Sequence, residues 1–102
     1  MVKFKKEDFK YVSRVYIACD LYMNKCGYYY IFSVVGESAN YLKNKYSLQN
    51  INIEVNLFAD NSMRICSYKE HSRDKDIVYM AKEDVKELLP LLQEDMNLDF
   101  WR

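Results

Sequence analysis

Apolar and polar residues alternate most clearly from Ile51 to Phe58, where Ile51, Ile53, Val55 and Leu57 interleave with Asn52, Glu54 and Asn56. A period of two predicts a strand with one core face and one wet face. The run Ser62 to Tyr68 predicts a second strand, with Met63 and Ile65 on its apolar face. Pairing Leu57 with Met63 and Val55 with Ile65 aligns the two apolar faces and puts Asn56 opposite Arg64 on the polar face. That register leaves Ala59-Asp60-Asn61 as a three-residue loop, and Asn61 suits the left-handed position such loops need.

Upstream, Gly27 to Val35 reads Gly-Tyr-Tyr-Tyr-Ile-Phe-Ser-Val-Val. It is apolar on both faces, as expected of a central strand covered on both sides, with Tyr28, Tyr30, Phe32 and Val34 sharing one face. Tyr11 to Cys19 supports two readings. Phe9, Val12, Tyr16, Cys19 and Met23 have helical spacing, whereas Val12, Val15, Tyr16 and Ile17 carry β propensity. The β propensity favours a strand, forming a hairpin with the Tyr-rich strand across Asp20 to Cys26. Gly36-Glu37-Ser38 stops the second strand, and Ser38 is expected to cap a helix of two turns through Tyr46, with Leu42 and Tyr46 one turn apart.

After the charged loop Lys69 to Asp76, Ile77-Val78-Tyr79-Met80 predicts a short strand leading into an amphipathic helix. There Val85, Leu88, Leu89, Leu92 and Met96 form one stripe for docking on the sheet, and Glu83 and Asp84 suit the positive end. Pro90 inside this pattern removes a backbone hydrogen bond and predicts a kink or break, with Leu91 turned outward. Phe100 and Trp101 are expected either to dock on the sheet or to anchor a contact. The fold expected is one α+β domain over residues 1–102. It has an antiparallel sheet of about five strands, a short middle helix and a C-terminal amphipathic helix packed on one face.

Half of the 102 residues are apolar and only three are Gly or Pro, which excludes a disordered tail, a collagenous repeat or a linker-rich array. No apolar run approaches the ~18 residues of a membrane span, and Met1 to Glu7 lacks the apolar stretch of a secretory signal, so a cytoplasmic location is expected. Fifteen Lys and Arg balance fifteen Asp and Glu, but unevenly. Residues 1–50 hold eight basic and four acidic residues, and residues 51–102 hold seven and eleven, giving about +4 and −4. The basic excess lies in Lys3, Lys5, Lys6, Lys10 and Arg14, and the acidic excess in Glu83, Asp84, Glu87, Glu94, Asp95 and Asp99. The chain as a whole has no basic surplus of the kind a duplex-binding protein shows. Ten tyrosines, five phenylalanines and one tryptophan exceed what one core of this size needs, which puts some at the surface, where Tyr favours protein contacts.

Motifs for chemistry are sparse. Cys19, Cys26, Cys66 and His71 do not make a zinc knuckle, because six residues separate the first two cysteines where two to four are usual. No metal or cofactor is expected, and an odd cysteine count in a reducing compartment favours free thiols. His71 reads as a solvated loop residue. The neighbouring carboxylates Glu83/Asp84 and Glu94/Asp95 do not face one another on a helix, so neither pair is a general acid and base. Gly27 and Gly36 alone cannot form a phosphate loop. An enzyme is not expected; its only suggestion is nuclease-like chemistry by Arg14, Arg64, His71 and Arg73.

The sequence is rich in Lys, Asn, Tyr and Ile, as in Tyr29-Tyr30-Ile31-Phe32, Tyr41-Leu42-Lys43-Asn44-Lys45-Tyr46 and Asn50-Ile51-Asn52-Ile53. In size and texture it resembles accessory proteins of phages and plasmids of low-GC Gram-positive bacteria, and among them the small type II anti-CRISPR inhibitors. The resemblance rests on no diagnostic motif, so it carries over no functional residue. It implies stoichiometric inhibition of an RNA-guided DNA nuclease, or of its guide RNA complex, in a bacterial host cell. The nucleic-acid channel of such nucleases is strongly positive.

An acidic helix face can imitate phosphate in such a channel. The contact set expected is therefore Glu83, Glu87, Glu94, Asp95 and Asp99, with Tyr28, Tyr30 and Trp101 as aromatic anchors. The alternative is direct nucleic-acid binding, as a small regulator or a guide-RNA binder, through Lys3, Lys5, Lys6, Lys10 and Arg14. Nothing in the sequence selects an oligomeric state.

Overall fold

The structure is a computed structural model. It describes the backbone of residues 3–20, 25–71 and 75–100, and their side chains except those of 17–20, 25, 26 and 94–100. After a 3-10 turn at Lys6–Asp8, the elements follow in the order β1 (Phe9–Asp20), β2 (Lys25–Val34), α1 (Gly36–Tyr46), β3 (Asn52–Phe58), β4 (Met63–Tyr68), β5 (Lys75–Tyr79) and α2 (Lys82–Phe100). The strands pair antiparallel in chain order, so the sheet is a five-stranded meander with α1 inserted between β2 and β3. This is the small α+β domain that the alternation and the C-terminal stripe predict. No helix among the described residues is long and apolar enough to cross a membrane.

One face of the sheet carries the core. Phe32 pairs with Val55 and Val55 with Ile65, all three fully buried, and they share one cluster with Leu42 of α1 and Leu88 and Leu92 of α2. Complete burial of such a side chain contributes roughly 1.5–3 kcal/mol. The β3–β4 register is the expected one, Leu57 opposite Met63 and Asn56 opposite Arg64, and Asn61 takes φ 71° in the loop between the strands.

The ambiguous segment is strand β1, and its mixed periodicity has a structural cause. The register with β2 slips between Tyr11 and Ser13. Before the slip Phe9 and Tyr11 lie opposite Val34 and Phe32; after it Arg14 and Tyr16 lie opposite Tyr30 and Tyr28. One extra residue therefore changes which positions face the core side, as a β-bulge does, and the period of two is lost.

Four local expectations are corrected. Ser38 does not cap α1: the N-cap is Val35, without a side-chain bond, and the carboxylate of Asp8 accepts the Ser38 N–H at 3.1 Å from another element. The helix has eleven residues, three turns rather than two, and ends at Ser47 in a left-handed conformation (φ 56°). Helix α2 runs unbroken through Pro90. Pro90 and the residue four before it, Lys86, are both exposed, so water can satisfy the carbonyl that Pro90 leaves without its N–H. Leu91 does not turn outward; it is half-buried against the core.

On the opposite face of the sheet Tyr29, Ile31 and Ser33 of β2 are half-buried. Yet Asn56, expected on a wet face, is fully buried there. The Arg64 guanidinium lies 5.3 Å from the ring centres of both Tyr29 and Phe58, and its Nε donates to Asn56 Oδ1 at 2.7 Å. The long arginine forms the roof over its neighbours.

Candidate functional site

The acidic and basic candidates, read separately from sequence, meet each other in the fold. Asp84 lies on the core side of α2 with no side-chain exposure. Its Oδ1 accepts from Tyr41 Oη at 2.8 Å and its Oδ2 from Tyr46 Oη at 2.6 Å, while Lys45 Nζ approaches Oδ2 at 2.8 Å. Lys45 also reaches Glu83 at 3.1 Å, and Lys3 lies 3.5 Å from Glu87 and 3.8 Å from Asp84. Lys5 pairs with Glu37 at 3.0 Å, and its backbone N–H donates to Ser38 Oγ at 3.0 Å.

These contacts set the protonation states. Burial pushes the Asp84 carboxyl up, but hydrogen bonds from Lys45, Tyr46 and Tyr41 outweigh it and hold it below its ordinary value. Lys45 is raised by its bonds to Asp84 and Glu83, against the opposing effect of desolvation. A carboxylate so saturated with donors is a poor proton acceptor near neutral pH. The cluster therefore ties α1, α2 and the N-terminal segment together, and Glu83 and Glu87 each have a lysine beside them.

The aromatic candidates Tyr28 and Tyr30 lie on the β1–β2 hairpin. Tyr28 packs edge-on to Tyr30 with ring centres 5.4 Å apart and to Tyr16 at 6.2 Å, and Tyr30 continues to Tyr11 at 6.1 Å and on to Phe32 at 5.7 Å. Arg14 stacks over Tyr16 at 5.1 Å and Tyr28 at 5.8 Å. Burial pushes the Tyr30 hydroxyl up, and a hydrogen bond with Arg14 opposes it. This ladder runs from the core to the surface: Phe32 is fully buried, Tyr30 is 3% exposed, Tyr28 is half-buried and Tyr16 is 69% exposed. Tyr30 thus backs the surface that Tyr16 and Tyr28 form.

Of the other sequence candidates, Lys6 and Lys10 are exposed near the start of β1. Glu94, Asp95 and Asp99 fall in the last turns of α2, where only the backbone is described, and Trp101 and Arg73 lie outside the described residues. His71 is exposed with φ 62°, and Cys66 is a free, buried thiol; the side chains of Cys19 and Cys26 lie outside the described residues. No group of three or more His, Cys, Asp or Glu able to hold a metal ion occurs among the described residues.

Sequence reasoning missed Tyr16, which came to light only through the bulge that turns it to the face of Tyr28. It also missed Asp84 as a buried group, although Leu88 and Leu92 follow it at i+4 and i+8 and mark the same stripe. No protein-family model, curated protein or solved structure matches the chain.

Proposed function

We propose that this chain is an anti-CRISPR-like stoichiometric inhibitor that binds a type II RNA-guided DNA nuclease, or its guide RNA complex, and acts without turnover. The observation that carries the binding surface is the aromatic ladder with Arg14 stacked on it, because an exposed Tyr and Arg cluster backed by packed rings is the composition of an interface anchor. The texture of the sequence carries the choice of target. The pairing of Glu83 and Glu87 with Lys45 and Lys3 shifts the main contact from the acidic helix to the hairpin, since a phosphate mimic needs negative charge that its own chain does not balance. Glu94, Asp95, Asp99 and Trp101 remain the electrostatic and aromatic contribution of the C-terminal helix end.

The test is co-elution of the protein with a purified type II RNA-guided nuclease, with and without guide RNA, comparing the natural chain with Tyr16→Ala and Tyr28→Ala. Tyr16→Ala should weaken association about 30-fold, the effect of a ~2 kcal/mol anchor, while its exposure keeps stability within about 0.5 kcal/mol. Undiminished co-elution of both variants contradicts the hairpin epitope. Absence of co-elution by the natural chain contradicts the target.

A second reading is favoured by the same stacked arginine, because cation-decorated tyrosines also stack unpaired bases. On that reading the basic N-terminal set Lys3, Lys5, Lys6, Lys10 and Arg14 contacts single-stranded RNA directly, with Lys3 and Lys5 exchanging their pairs with Glu87 and Glu37 for phosphate. Binding to free RNA that weakens steeply between ~50 and ~200 mM salt selects it.

A further inference from the structure

We propose that β5 is a dimer edge: two copies of this chain pair their β5 strands antiparallel across a twofold axis and join the two sheets into one. The surface is independent of the function proposed above, because β5 and β1 are the two ends of the strand order and the aromatic hairpin lies at the far end of each copy.

The backbone of β5 is set for such a pairing. The Met80 N–H donates to the Met63 carbonyl at 3.0 Å, so by alternation Val78 and Asp76 also turn their backbone groups towards β4. Lys75, Ile77 and Tyr79 therefore turn theirs outward, where no strand among the described residues pairs with them. The side chains of the same three residues lie on the face opposite Val78, which packs against the core. Ile77 and Tyr79 are 52% and 49% exposed there, an apolar pair beside an open row of donors and acceptors. The other edge is blunted: the register of β1 slips between Tyr11 and Ser13, and such bulges interrupt edge pairing.

The sequence of β5 selects a second copy as the occupant, and one register. An antiparallel pair centred on Ile77 brings Ile77 opposite its own counterpart, Lys75 opposite Tyr79 and Asp76 opposite Val78, so the whole strand is used and no like charges face each other. Lys75 Nζ stands 5.9 Å from the Tyr68 ring centre in its own chain, and in this register it meets a second ring, Tyr79 of the other copy. Asp76 lies on the other face, where its Oδ2 accepts from Asn50 Nδ2 and Ser67 Oγ, both at 3.4 Å. The neighbouring registers are worse. Centring the pair on Asp76 sets two carboxylates opposite each other. Centring it on Val78 sets Lys75 against Ala81, whose carbonyl already accepts the Asp84 and Val85 N–H groups at the start of α2.

The experiment is sedimentation equilibrium of the full chain from about 5 µM to about 1 mM, because a short edge strand buries less than a standard interface and gives a weak dimer. The apparent mass should rise from one copy towards two and stop there. Ile77→Lys sets two ammonium groups opposite each other at an exposed position, and should weaken the dimer about tenfold or more while circular dichroism shows the native fold. Ile77→Cys tests the register without relying on that variant. A hydrogen-bonded antiparallel pair holds its Cα atoms about 5.5 Å apart, so a short bismaleimide should join position 77 of one copy to position 77 of the other, as mapped by mass spectrometry. Tyr79→Cys should give no such link, since the two positions stand about 14 Å apart along the strands. A single-copy mass at the highest concentration, growth beyond two copies, undiminished dimerisation of Ile77→Lys, or a link at position 79 in place of 77 overturns the proposal.

Discussion

Tyr46, the last residue of α1, donates a hydrogen bond of 2.6 Å to the buried carboxylate of Asp84 in α2, and its own hydroxyl oxygen accepts the Ala81 N–H at 2.9 Å. One hydroxyl thus closes both the carboxylate shell and the backbone at the entrance to α2. With Tyr41 and Lys45 on the same carboxylate, α1 supplies three of the donors that make burial of Asp84 tolerable.

Removing that carboxylate strands its donors. Asp84→Ala leaves two tyrosine hydroxyls without their acceptor and Lys45 with Glu83 alone, and opens a void at a side chain with no exposure. Lost charge-assisted bonds of this kind cost about 3 kcal/mol in total, a drop in Tm of roughly 15 °C for a chain of this size. Thermal unfolding of the variant measures it. A shift below about 3 °C contradicts the view that Asp84 holds the helices together.

The same cluster sets the pH range of stability. The folded Asp84 carboxyl lies below its ordinary value, so its contribution is present above the unfolded value near 3.9 and is lost as pH falls through the folded one. Burial, with the Asp84 bond behind it, pushes the Tyr46 hydroxyl up to about 12, so its contribution is complete below about 10 and lost as pH rises towards 12. Lys45, raised chiefly by Asp84, acts in the same direction. The melting temperature should be level from about pH 5 to 9 and fall below about 4 and above about 10. Tyr46→Phe should flatten part of the alkaline limb. A main loss of stability between pH 5 and 9 contradicts this assignment.

Gly36 opens α1 at φ +67°, and a Cβ there would lie 2.8 Å from Asp8 Oδ1. Gly36→Ala therefore strains the backbone and displaces the carboxylate that accepts the Ser38 N–H. A loss above about 1 kcal/mol is expected in denaturant unfolding, against the small gain that alanine gives where φ is negative. A neutral or stabilising result contradicts the close approach of Asp8.

How much of this was legible in the sequence depended on the range of the interaction. Alternation fixed β3, β4 and their register, because Leu57/Met63 and Val55/Ile65 are close in sequence and only one pairing buries both. The end of α1 could not be read the same way: Asp8 reaches Ser38 from thirty positions away, and Ser38 looked like a cap because a local pattern cannot reveal a carboxylate supplied by another element. Charge was misleading for a similar reason. Counting Glu83 and Glu87 along the chain marks an acidic face, whereas folding brings Lys45 and Lys3 to them. Asn56 looked wet because the pattern registers its own polarity and not the arginine laid across it.

Cys66 shows the chemical side of that cover. Its thiol is buried and donates to Asn56 Oδ1 at 3.3 Å, and burial pushes its pKa up. A thiol in that state is a poor nucleophile, since the thiolate is the reactive form. Alkylation mapped by mass spectrometry should find Cys66 unmodified in the folded protein and modified in denaturant. Rapid native alkylation contradicts the packing of this face.

The most direct test of the account is a titration of target-DNA cleavage by a type II RNA-guided nuclease with increasing protein, the guide RNA being checked for integrity at each point. The account predicts that cleavage ends near one protein per nuclease complex, with the RNA intact. Full cleavage at a large excess of protein, or loss of guide RNA at substoichiometric protein, contradicts it.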